Sequence, residues 1–104
     1  MSWKNILKSC ERGAAQDLAN TLEEILGMIE SDESLVDYSS TLLDFSELLS
    51  APDIGADNIN QAFEFMREIL QDMDRLGKVG PGFIGEMLDK LGRIKEEYNQ
   101  CKLT

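Results

Sequence analysis

Four carboxylates, Glu33, Asp37, Asp44 and Glu47, recur within fifteen residues of a chain that holds no histidine. At 100° per residue they fall within about 80° of one another on a helix, with Ser40 between them. Carboxylates so arranged can hold a cation, pair with a basic partner, or simply face water. For a metal the spacing is wrong. "DESLVD" and "PDIGADNIN" offer oxygen donors, but neither follows the D-x-[DN]-x-[DN]-G loop with its closing glutamate. A zinc site needs about four nitrogen or sulfur ligands, and two cysteines without histidine cannot supply them. The same lack removes Ser-His and Cys-His nucleophiles and the usual carboxylate-bridged di-iron bundle. We therefore expect no metal, no cofactor and no catalysis.

The remaining candidates are few. Cys10 and Cys101 both fall on apolar helix faces. The start of a first helix and the end of a fourth are neighbours in an up-down bundle, so the two sulfurs can meet. Reduced core thiols are the first reading, and a disulfide is the second. "GKVGPGFIG" is glycine-rich and carries Lys78, yet it lacks the order of a phosphate-binding loop and no strand precedes it. It reads as a turn between helices, with Pro81 at a helix start. Trp3, Ile6, Leu7 and Cys10, flanked by Lys4 and Lys8, form a short basic amphipathic segment that we assign to the first helix rather than to a membrane anchor.

The opening "MSWKNILK" resembles the starts of various small phage and archaeal proteins. It defines no family, and no functional residue is carried over from it.

Charge is distributed unevenly. The net charge is −10, but residues 13–66 contain twelve acids and no lysine or arginine, while residues 67–104 contain seven of each sign. Such a surface repels phosphates, so neither nucleic acid nor an anionic membrane is the expected partner. A protein with a basic surface is. No apolar run approaches the ~18 residues of a membrane span, and the charged N-terminal stretch does not read as a signal peptide. A cytoplasmic location is the expectation.

The elements that must position these residues are helices. Apolar residues recur at three and four throughout, between breaks at Pro52 and Pro81. The pattern predicts one domain over 1–104, all-α, an up-down-up-down antiparallel four-helix bundle with helices near 3–29, 33–49, 58–76 and 82–101. Ser2 is a candidate cap for the first helix, which has a potential break near Gly13. Ser31 or Asp32 should cap the second, and Asp57 or Asn58 the third. Gly77 is placed to end the third in the left-handed conformation. Leu35, Tyr38, Leu42, Phe45 and Leu49 form the inner stripe of the second helix, nearly opposite its acids. Val36, Leu43 and Leu48 lie off that stripe, either widening the core contact or supporting a homodimer.

The fourth helix places Glu86 before Lys90 and Asp89 before Arg93, the favourable i,i+4 order. The second has Glu33 and Asp37 at that spacing, and Asp44 and Glu47 toward the end where the helix dipole opposes them. Helix stability does not ask for this. The reading that results is a non-catalytic protein that binds a partner through Glu33, Asp37, Asp44 and Glu47, as an adaptor, inhibitor or regulator. Two alternatives accompany it: a nucleic-acid-mimicking inhibitor of the phage type, and a structural homo-oligomeric subunit.

Overall fold

The computed structural model describes the backbone of residues 3–51 and 53–103 and the side chains of 10–51 and 53–103. Ser2, Pro52 and the side chains of Trp3, Lys4, Ile6, Leu7 and Lys8 lie outside the described residues. Among these there are four α-helices and no strand: α1 (Trp3–Ile29), α2 (Val36–Leu49), α3 (Ala56–Leu76) and α4 (Pro81–Leu103). A single 3₁₀ turn, Glu33–Leu35, leads into α2. Short connections make sequential helices antiparallel neighbours. The four-helix bundle expected from the periodicity is the fold.

Three boundaries differ from expectation. α1 runs unbroken through Gly13, because Cys10, Ala14, Ala15 and Leu18 on either side of it are all buried and packing outweighs a propensity cost of about 1 kcal/mol. α3 begins at Ala56 behind Gly55, with no side-chain cap. Asp57 thus sits inside the first turn, where its charge favours the helix dipole, rather than at the cap. α2 begins at Val36 rather than near residue 33, because residues 33–35 form the 3₁₀ turn; Asp32 caps that turn, accepting from the Ser34 N–H at 2.9 Å and the Ser34 hydroxyl at 2.6 Å. Those two bonds, the hydroxyl's first, hold its carboxyl below the ordinary aspartate range.

Gly77 ends α3 at φ +66°. Its N–H bonds to the Asp74 carbonyl and that of Lys78 to the Met73 carbonyl, the paired bonds of a Schellman motif. Pro81 then opens α4, its missing N–H being one that a helix start leaves unpaired anyway.

The helices are not a matched set. α1 has 27 residues and α2 only 14, about 40 Å against 21 Å at 1.5 Å per residue. The result is a rod of 48 × 23 × 17 Å. α1 packs on the other three helices, and α3 on α2 and α4 as well. The fully buried core is accordingly drawn mostly from α1 (Leu18, Leu22, Ile25, Ile29) and α3 (Ile59, Met66, Ile69, Leu70, Met73). Leu76, three residues after buried Met73, is exposed at the α3 terminus, whereas Ile54 in the α2–α3 connection is buried.

Cys10 and Cys101 form a disulfide with 5.9 Å between their Cα atoms, so the bridge takes the place of the reduced pair that was the first reading. It joins the start of α1 to the end of α4. Tyr98 is buried one turn away, with the Lys102 ammonium 5.1 Å from its ring centre. Burial, and then the neighbouring Glu11 carboxylate, push the Tyr98 hydroxyl up to about 12.

Candidate functional site

The second helix is the peripheral element. Only Leu42 and Leu49 of α2 itself are buried, together with Leu35 of the leading turn. Half-buried Tyr38 and Phe45 complete its attachment. The Tyr38 hydroxyl donates to Asp72 Oδ2 on α3 at 3.2 Å. Phe45 stacks on Phe65 of α3, with ring centres 4.5 Å apart and planes inclined by 15°. Phe65, which lies off the buried stripe of α3 (Ile59, Ala62, Met66, Ile69, Met73), is thus part of the docking surface for α2. Burial, and then the Asp72 charge, raise the Tyr38 hydroxyl above its ordinary value.

This anchoring turns the opposite side of α2 outward. Glu33, Asp37, Asp44 and Glu47 are all exposed. Their span, one 3₁₀ turn and most of an α-helix, is about 22 Å. Among the described residues none of the four makes an ion pair; the two present are Arg75–Asp72 on α3 and Lys90–Glu24 between α4 and α1.

Among the described residues, neighbouring helices do not neutralise these acids, for identifiable reasons. Arg75, close enough to influence Tyr38, is engaged by Asp72. Lys90 reaches both Glu24 oxygens at 2.9 and 2.8 Å rather than Glu86 of its own helix, as the i,i+4 spacing had suggested. Lys78 lowers Asp32 electrostatically, at the beginning of the acidic run and not along it.

The structure settles one ambiguity of the apolar pattern. Val36 and Leu43 do not widen the core; they stand 58% and 54% exposed. Leu48 is half-buried. Separated by seven residues, Val36 and Leu43 lie on one side of the outer face, with Glu47 beside them and Asp37 and Asp44 farther round. The outer face of α2 is thus acidic with an apolar edge, and Ser39 and Ser46 flank the other side of that edge. Their exposure could not be read from spacing, because a wider inner stripe satisfies the same periodicity.

Among the described residues, no three carboxylates or thiols converge closely enough to share a metal ion, and no helix is long and apolar enough to cross a membrane. Fold and face together define an acidic all-α bundle with an acidic α2 surface that has no ion-pair partner among the described residues. Compared with protein-family models, with curated proteins and with solved structures, the chain matches none.

Proposed function

We propose that this protein is a non-catalytic binding module whose outer α2 face, centred on Glu33, Asp37, Asp44 and Glu47, docks on a basic surface of a protein partner. One observation carries the reading: exposed Asp37, Asp44 and Glu47 share the outer face of α2 with exposed Val36 and Leu43, exposed Glu33 precedes them in the 3₁₀ turn, and among the described residues no basic side chain pairs with any of the four. Charges of one sign steer association and set orientation, while apolar contacts supply much of the holding energy. An adaptor, an inhibitor and a regulator would each use such a face.

Mimicry of nucleic acid is the second reading, favoured by the ~22 Å run of spaced carboxylates, long enough to shadow several phosphates. In that case the partner is itself a nucleic-acid-binding protein.

The test compares wild type with the quadruple variant Glu33→Lys, Asp37→Lys, Asp44→Lys, Glu47→Lys in capture from native extract. Both proteins must first show the same helical circular dichroism and a cooperative melt. A foreign protein retained by wild type, released by 0.5 M salt and absent with the variant supports the proposal; its displacement by duplex DNA selects mimicry. Equal capture by both proteins overturns it.

A further inference from the structure

A second surface is as incomplete as the first, and its chemistry is the converse. Between α3 and α4 runs a groove of about 290 Å³ lined by Phe63, Leu88, Leu91 and Gly92. Apart from the α4 backbone itself, no atom lies within 4 Å of where a Cβ at Gly92 would stand, so the floor is open to an incoming side chain. Arg67 on one wall and Lys95 on the other also line it. Both are exposed, and neither makes an ion pair among the described residues. Glu64 lies at the same rim, which leaves the groove with one net positive charge in a chain whose net charge is −10.

We infer that the α3–α4 groove receives the α2 face of a second copy of this chain, Leu43 entering above Gly92 while Asp44 and Glu47 answer Arg67 and Lys95. The inference rests on the α2 face proposed above and names its partner. Three features match: an exposed leucine meets an unfilled apolar floor, unpaired acids meet unpaired bases, and a glycine permits close approach of the backbones. Self-recognition also explains why the cationic groove persists on an acidic molecule.

Geometry decides the kind of assembly. α2 packs on α1 and α3, whereas the groove lies between α3 and α4, so face and groove are different surfaces. The contact is heterologous and leaves each end of a dimer with one unused half, which propagates into a chain or ring. One 14-residue helix gives an interface at or below the low end of stable complexes, and the like net charges of the copies oppose it. Association is therefore weak and concentration-dependent.

Sedimentation velocity at increasing concentration, up to about 1 mM, detects contacts of millimolar strength. The face variant is Leu43→Ser, Asp44→Asn, Glu47→Gln; the groove variant is Arg67→Gln, Gly92→Leu, Lys95→Gln. All substitutions are at surface positions, and Gly92→Leu raises helix propensity, so both should fold; circular dichroism confirms it. Wild type is expected to grow in mass with concentration, and each variant alone to remain a monomer. An equimolar mixture should stop at dimers, because the only intact groove is on one variant and the only intact face on the other. Monomeric wild type at ~1 mM overturns the inference, as does a mixture that never dimerises while wild type associates. The groove variant keeps the α2 face, so its capture of a foreign basic protein reports on the proposed function alone: where wild type stays monomeric but that capture persists, the inference falls and the proposed function stands.

Discussion

Reducing the Cys10–Cys101 bridge should remove a large share of the protein's stability without altering its folded packing. The two cysteines are 91 residues apart in sequence, so the cross-link encloses nearly the whole chain and restricts the unfolded state severely. The chain-entropy relation assigns such a loop about 4.6 kcal/mol at 25 °C. With an unfolding entropy of ~2.1 cal/mol/K per residue, that corresponds to a fall in Tm of roughly 20 °C. Reduction is a cleaner perturbation than mutation. Cys10 is buried among Ala14, Leu18 and their neighbours, and truncating it would add a cavity to the measured loss.

The assay is urea unfolding followed by helical circular dichroism, on one preparation with and without a phosphine reductant. Thiols counted in denaturant must read none before reduction and two after it. A Cys10→Ala, Cys101→Ala double variant should be insensitive to the reductant. Stability changed by less than about 1 kcal/mol would refute the loop argument, because it would mean that the ends of α1 and α4 stay together in the unfolded ensemble. Thiols reactive before reduction would refute the bridge itself. The result also bears on location, since disulfides persist in oxidising compartments and are rare in the cytosol.

Three further outcomes are expected. Glu47→Lys in the last turn of α2 should raise stability by about 0.5–1 kcal/mol at low salt, relieving both the dipole and Asp44, with the gain lost near 1 M salt; destabilisation would reveal an internal role for Glu47. Gly77→Ala should cost about 1–2 kcal/mol by thermal melt, since φ +66° strains any residue with a Cβ. The Tyr98 hydroxyl is raised to about 12 from an unfolded value near 10, so the folded chain holds that proton more tightly. Its contribution is complete below pH 10 and is lost between pH 10 and 12, by roughly 2 kcal/mol. Tyr98→Phe should flatten that segment of the urea-midpoint profile, and an unchanged profile would contradict the shift.

Much of the architecture was legible because it depends on periodicity. Leu18, Leu22, Ile25 and Ile29 are fully buried, as their three-and-four spacing implies, and Gly77 adopts the left-handed cap its position suggests. What escaped depends on contacts between segments. Phe65 lies off the inner stripe of α3 and is half-buried, with Phe45 of α2 stacked on it. Lys90 has an acid at the favourable spacing on its own helix, yet a residue 66 positions away in sequence takes it. The acidic residues of α2 were readable as a face; that no ion pair answers them among the described residues depends on where Arg75 and Lys90 spend their charge. The exposure of Val36 and Leu43 depends on how far α2 rolls against α1 and α3.

The position of that charge follows from the uneven division of labour among the helices. α1 and α3 supply most of the fully buried side chains, and the disulfide secures α1 to α4. α2 is the shortest helix and is held by three buried leucines, one aromatic stack and one tyrosine–aspartate hydrogen bond. A run of like charges costs a few tenths of a kcal/mol per pair on any helix. On α2 that cost is borne where the chain has least packing to offset it. Glu33 and Asp37 lie in first turns, where the dipole favours them, but Asp44 and Glu47 lie toward the end where it opposes them, and on α4 basic residues already alternate with acids. The concentration of this charge on the least-anchored helix, beside two apolar side chains turned to solvent, is the feature on which the proposed docking role rests.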